Sequence, residues 1–102
     1  TREWALLHLG EPLTVDDLAR NARVSARTFA RHFVEDTGYT PMQWILRARI
    51  DEARSLLEQS DLPVEQVAAH VGLGTGANLR MHFHRILGTS PTEYRRTFSK
   101  GE

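Results

Sequence analysis

Between Leu13 and Phe33, in LTVDDLARNARVSARTFARHF, apolar residues recur at helical spacing, break over three residues and then resume. Val15, Leu18, Ala19 and Ala22 share one face of a first short helix. Thr14 stands where a hydroxyl caps that helix, and Asp16 and Asp17 stand where the positive end of the helix dipole favours acids. Ala22-Arg23-Val24 supplies the turn, and Ser25 caps the next helix. There Phe29 and Phe33 fall one above the other and face inward, while Arg27, Ala30, Arg31 and Val34 line the opposite side. The pattern predicts a helix-turn-helix whose second helix is held by two phenylalanines and offers two arginines one turn apart.

A solvated surface helix would carry similar charges, but the pattern occurs twice. At a shift of 49, Val15 matches Val64, Leu18 matches Val67, Ala19 matches Ala68 and Ala22 matches Val71. Past one inserted residue near Gly74 the shift becomes 50: Phe29 matches Leu79, His32 matches His82, Phe33 matches Phe83, Gly38 matches Gly88, Pro41 matches Pro91 and Trp44 matches Tyr94. Two copies of one supersecondary unit therefore fill most of the chain.

The remaining segments read as connections. Arg2 to Leu9 suggests a helix with Trp4, Leu7 and either Ala5 or His8 inward, stopped at Gly10. It begins without a cap, which suggests a fragment of something longer. After the first unit, Gly38 stops a helix, Thr40 caps the next, Pro41 suits its first position and Gln43 completes a capping box; Gly88-Thr89-Ser90-Pro91-Thr92-Glu93 repeats the device. Pro41 to about Gln59 reads as one long helix with Trp44, Ile45, Ala48, Ile50, Ala53, Leu56 and Leu57 apolar and with Arg47 spaced to pair with Asp51. At ~1.5 Å per residue such a linker holds its ends roughly 25–30 Å apart. Asp61-Leu62-Pro63 breaks the chain before Val64 to Gly72, the loop Leu73-Gly74-Thr75-Gly76 and a helix from about Ala77 to Leu87. In that last helix Leu79, Phe83 and Ile86 or Leu87 face inward, and Ala77, Arg80, Met81 and His84 outward, with Asn78 near its start. The expected fold class is all-α, about seven helices: a first helix-turn-helix subdomain over 1–40, a linker helix over 41–59 and a second subdomain over 60–102.

The 102 residues, 40% apolar, suit one small domain or two subdomains sharing a helix. No segment approaches the ~20 apolar residues of a membrane span, and the start lacks a signal-peptide layout. The absence of cysteine decides nothing about compartment. Net charge is zero, yet Arg20 to Val34 holds four arginines and no acid, and Gln66 to Thr92 holds two arginines, three histidines and no acid. The neutral total conceals two basic stretches, each on a would-be recognition helix.

Other chemistry finds little footing. The glycines around Gly74 lack the Lys-Ser/Thr pair and preceding strand of a phosphate loop, and read as a helix-entry loop. His82 and His84 lie two apart on different helix faces, and His70 has no acidic partner at metal-ligand spacing, so no metal site is expected. His32 and His82 occupy equivalent positions that read as half-buried packing. No Ser-His-Asp arrangement or paired-carboxylate cleft is discernible, so neither an enzyme nor a cofactor is expected. A helical protein-interaction module, the main alternative, would show apolar anchors at i, i+3, i+4 and i+7 on an outward face, and neither outward face does.

The second half, DLPVEQVAAHVGLGTGANLRMHFHRILGTSPTEYRRTF, closely resembles the signature of the AraC/XylS family of bacterial transcription regulators. The first half, LTVDDLARNARVSARTFARHFVEDTGYTPMQWI, looks like that family's first helix-turn-helix. The resemblance implies an all-helical domain placing one recognition helix in each of two successive major grooves of double-stranded DNA, in the cytoplasm at the nucleoid. Arg27-Thr28-Phe29-Ala30-Arg31 and Ala77-Asn78-Leu79-Arg80 are most similar to members whose N-terminal half resembles a glutamine-amidotransferase domain. An N-terminal effector or dimerisation domain absent from this chain, and RNA polymerase, are the further partners expected. Met81 stands where related sequences tend to carry a polar or basic residue, so it offers apolar contact instead. Base contacts are expected from Arg27, Arg31, Asn78, Arg80 and Met81. Backbone contacts are expected from Arg23, Thr28, Thr75, His84, Arg95 and Arg96, together with helix N-termini.

Overall fold

The computed structural model describes residues 1–98. Among them seven helices follow one another with no strand: α1 (Arg2–Leu6), α2 (Val15–Ala22), α3 (Ala26–Thr37), α4 (Pro41–Gln59), α5 (Val64–His70), α6 (Gly76–Leu87) and α7 (Pro91–Phe98). They form two compact units, Thr1–Ala48 and the residues from Arg49 onward, with α4 passing from one to the other.

Local chemistry sets the helix starts. Thr14 Oγ1 accepts from the Asp17 N–H at 3.1 Å while Asp17 Oδ2 accepts from the Thr14 N–H at 2.9 Å, closing a reciprocal capping box on α2. Thr40 and Gln43 close the same box on α4, at 3.2 and 3.0 Å. The expected copy of that box on α7 is half formed. Ser90 Oγ accepts from the Glu93 N–H at 3.1 Å, but the Glu93 carboxylate takes Arg96 at 2.6 Å.

In the first unit, Ala5, Leu9, Leu18, Ala19, Phe29, Phe33 and Ile45 are buried, with Trp4, Leu13, Val15, Ala22, Ala26, Trp44 and Ala48 packed against them. The Phe33 ring meets Trp44 edge-on at 5.7 Å, which ties α3 to α4. Three expectations need correction here. α1 is a single turn that buries Ala5 and, beyond its end, Leu9, while Leu7 is 81% exposed; a helix this short turns too few residues inward to bury both. His32 is exposed on α3, at the edge of the Phe29–Phe33 seam rather than packed within it. Arg47 does not pair with Asp51, because its guanidinium lies over the Tyr39 ring at 4.9 Å and Asp51 is taken by Arg54 at 3.2 Å.

The second unit buries Ile50, Ala53, Leu57, Val67, Ala68, Val71, Leu73, Leu79, Phe83 and Tyr94. Tyr94 on α7 packs edge-on against Phe83 at 5.5 Å, its hydroxyl donates to Glu58, and Arg54 Nε donates to that hydroxyl at 3.3 Å. Burial, reinforced by Glu58, pushes the phenol's pKa up. Those contacts fasten α7 to α4 and leave α6 braced from behind. No helix among the described residues is long and apolar enough to cross a membrane.

Candidate nucleic-acid interface

Each unit contains the same turn. After α2 the chain reverses through Arg23 in the left-handed conformation (φ 61°), and the Val24 N–H returns to Ala19 O at 3.1 Å. After α5, Gly72 stands at the matching position with φ 87°, and the Leu73 N–H returns to Ala68 O at 2.9 Å. Here the two copies diverge by one residue. Gly74, also left-handed at φ 81°, adds its N–H to Ala68 O at 3.1 Å before Thr75 resumes the first unit's path at Ser25. Glycine fits there because an L side chain disfavours that backbone region. Ser25 Oγ then accepts from the Thr28 N–H and Thr75 Oγ1 from the Asn78 N–H, each at 3.1 Å, and helices of 12 residues follow in both copies.

On α3 the inner face is closed by Phe29 and Phe33, whose rings lie 5.4 Å apart. Arg27 and Arg31 stand exposed one turn apart on the other side, with Val34 44% exposed below them. Among the described residues neither arginine forms an ion pair, with Glu35 or with any other acid. Arg23, at the turn, is likewise exposed and unpaired, whereas Arg20 is held by Asp17 at 2.5 Å. Thr28, in the first turn of α3, is half-buried. The turn and this helix thus offer three planar five-donor guanidinium forks, and the two on the helix stand one turn apart.

α6 presents a different surface. Leu79 and Phe83 are fully buried, Met81 is 47% exposed, and Ala77 and His84 are exposed. Asn78 turns back, its Nδ2 donating to Leu73 O at 3.0 Å, so the amide braces the helix-entry loop. Arg80 leans toward α5, with Nη2 at 3.9 Å from Glu65 Oε2. His82 has Nδ1 buried without a hydrogen-bond partner among the described residues. Among the expected phosphate contacts, Thr75 is the exposed cap of α6, and Arg96 is exposed but paired with Glu93. Arg95 is turned inward: its Nε donates to Leu57 O and its Nη2 to Ser60 O, each at 3.2 Å. Those are orphan carbonyls at the end of α4, so Arg95 works as a C-terminal cap. Arg27 and Arg31 are therefore brought together as expected. Asn78, Arg80 and Arg95 are each drawn to an internal partner.

One contributor went unread in the sequence. Glu65 Oε1 accepts from the Gly76 N–H, the first amide of α6, at 2.9 Å. The available signal was Gly76 itself, which replaces the better helix former Ala26 of the first copy.

A family profile described as a helix-turn-helix domain matches residues 18–97. The chain is 36% identical over 85 residues, 83% of its length, to an HTH-type transcriptional regulator of Mycobacterium tuberculosis, of which it covers 33%. It is 36% identical over 83 residues, 81% of its length, to an AraC-like transcription regulator of Streptomyces lividans, of which it covers 27%. It spans about a third of the curated relatives it matches. Among solved structures it is similar to the DNA-binding domain of AdpA, a global transcriptional factor in complex with a target DNA. That likeness has 44% identity and a TM-score of 0.91, covering 95% of this chain and 87% of the other. It is also similar to the C-terminal domain of AraT, a response regulator from Geobacillus stearothermophilus, at 27% identity and a TM-score of 0.92, covering 99% and 84%.

Proposed function

The chain belongs to the helix-turn-helix DNA-binding domains of AraC-type transcriptional regulators, and from that premise we propose that it reads double-stranded DNA with two unequal heads, residues 1–40 and 60–102, joined by the linker 41–59. The observation that carries this reading is the pair Arg27 and Arg31: exposed, one turn apart, without an ion pair among the described residues, on a helix whose far side is packed by Phe29 and Phe33. Each guanidinium matches the two acceptors on the major-groove edge of guanine. Arg23, Thr28 and the start of α3 are placed to grip phosphates beside that helix.

The second head reads more weakly. Met81 suits a thymine methyl, Arg80 reaches a base or a phosphate once it leaves Glu65, and Thr75, His84 and Arg96 serve the backbone. Asn78 and Arg95 drop out of this contact set, because their side chains already hold the loop and the end of α4. The protein is a bacterial regulator acting in the cytoplasm at the nucleoid. An N-terminal effector or dimerisation domain, similar to glutamine amidotransferases, and RNA polymerase complete its partners. The sequence around Arg27-Thr28-Phe29-Ala30-Arg31 supports the first of these.

Selection from a random duplex library, followed by spacer variants of the retained site, tests the reading. Two heads should require elements about 10 base pairs apart on one face of the duplex. Inserting five base pairs between them turns the second element away, and affinity should fall to that of one head. With about five or six phosphates neutralised, log K should fall against log salt with a slope of roughly −4.5 to −5.5. No enrichment at low salt, or a slope near zero, rules out groove binding; unchanged affinity after the insertion rules out the two-headed form.

A further inference from the structure

At the start of α6 three residues form a cluster that has no counterpart in the first unit. Glu65, in the first turn of α5, accepts the Gly76 N–H on Oε1 at 2.9 Å and faces Arg80 Nη2 with Oε2 at 3.9 Å. Gly76 is buried, and its backbone does not need glycine's freedom, since it is absent from the positive-φ positions. It needs the space. A Cβ there would lie against Glu65 Oε2, 2.8 Å from Glu65 Cδ and 3.2 Å from Arg80 Nη1. In the first unit the matching positions are Asp16, Ala26 and Ala30: a shorter acid, a methyl group and no cation. All three differences go together, so the carboxylate, the space it occupies and the arginine form one device.

We propose that Glu65 sets the specificity of the second head by holding Arg80 on the protein, releasing it only to a DNA partner that binds the guanidinium better than a carboxylate does. This rests on the DNA-binding reading above. The carboxylate takes the place at the positive end of α6 that a phosphate would otherwise use, and its charge opposes the backbone's approach. The pair is long and exposed, with side-chain exposures of 51% and 67%, so it is weak enough to exchange. A phosphate that takes Arg80 must approach against the Glu65 charge. A guanine edge meets no such repulsion and offers two neutral acceptors matching the guanidinium fork. Glu65 therefore suppresses non-specific binding more than specific binding, acting as a positioning residue through Arg80.

The test measures salt titrations of the 102-residue chain on its selected duplex and on a scrambled one, for wild type, Glu65→Gln, Arg80→Ala and the double variant. Glutamine keeps an oxygen for the Gly76 N–H and removes the charge. Glu65→Gln should steepen the slope on scrambled DNA by about one, the worth of one further phosphate contact. Its gain in affinity should then be about threefold larger at 50 mM salt than at 200 mM. The ratio of specific to scrambled affinity should fall, and the gain should vanish when Arg80 is also alanine. Gly76→Ala, which pushes the carboxylate aside sterically, should reproduce the effect and carries the test if Glu65→Gln loses helical content. An unchanged slope overturns the proposal. So does a gain that survives Arg80→Ala, because it would come from bulk charge alone. Wild type failing to bind any duplex would instead sink the DNA-binding reading itself.

Discussion

The two helix-turn-helix units close their turns with the same returning hydrogen bond, from Val24 to Ala19 and from Leu73 to Ala68, yet their second helices leave different chemistry exposed. α3 leaves Arg27 and Arg31 without ion pairs among the described residues. α6 puts Ala77 and Met81 at those positions, ties Asn78 to Leu73 O and draws Arg80 to Glu65. Buried positions keep their character across the copies, Leu18 against Val67 and Phe33 against Phe83, because a core of this size tolerates change only within apolar residues of similar volume. The outward positions are free of that packing constraint, and they are where the copies part. A duplicated fold thus gives each unit the same second helix without giving the two helices the same outward chemistry.

The largest effect that would break this comparison is a swap in importance between the heads. Arg31→Ala should cost about 1–3 kcal/mol on the selected site and relax the preference for guanine at one position. Met81→Ala removes only apolar contact and should cost about 1 kcal/mol or less. Equal losses for Arg31→Ala on selected and scrambled DNA would make it a phosphate contact. A larger specific loss for Met81→Ala would reverse the ranking of the heads.

Most of the fold was legible because its signals are local or periodic. Thr14, Ser25 and Thr40 are caps one can read by residue type, and the inserted residue near Gly74 followed from the change of shift between the copies. The exposed arginines of α3 followed from angle alone. What escaped depended on a third dimension. Arg95 lies 35 residues from the Ser60 carbonyl it caps, and Glu65 lies 11 from the Gly76 amide it accepts, spacings that no helical period encodes. Asn78 has the right residue type and nearly the right angle for a base, but the loop made longer by Gly74 leaves the Leu73 carbonyl within its reach. Side chains that can satisfy an internal orphan group are the ones a pattern of outward positions misassigns.

A middle-sized effect sharpens the comparison at the turn. Arg23 carries a left-handed backbone (φ 61°) that Gly72 adopts in the other copy (φ 87°). That conformation costs a non-glycine residue about 1–2 kcal/mol, of which glycine's greater freedom in the unfolded chain takes back about 0.5–1 kcal/mol. Arg23→Gly should therefore raise stability by about 0.5–1 kcal/mol and weaken binding equally on selected and scrambled DNA, by one phosphate contact. By the same balance Gly72→Ala should lower stability by about 0.5–1 kcal/mol. Chemical denaturation of both variants, beside duplex titrations, checks the pair. A destabilised Arg23→Gly would mean that the arginine side chain earns its place through packing in the first unit.

The smallest expected effect separates the two units by pH. α2 opens on the Thr14–Asp17 capping box, whereas α5 opens at Pro63 with no side-chain cap. The Thr14 backbone N–H, then its hydroxyl contact and the Arg20 charge, hold the Asp17 carboxyl below the usual carboxylate range. A depressed carboxyl pKa means that the folded state prefers the charged form. Its contribution is complete above the ordinary carboxylate pKa and disappears as pH falls through the depressed one. Asp17→Asn keeps an oxygen for the Thr14 N–H but has nothing to titrate. Wild type should thus exceed Asp17→Asn in stability at neutral pH, by a margin that closes as the solution is acidified. Amide exchange at Thr14 and in the first turn of α2 should follow the same course, since the box protects those groups directly. A margin independent of pH would assign the box's benefit to its hydrogen-bond geometry rather than to its charge.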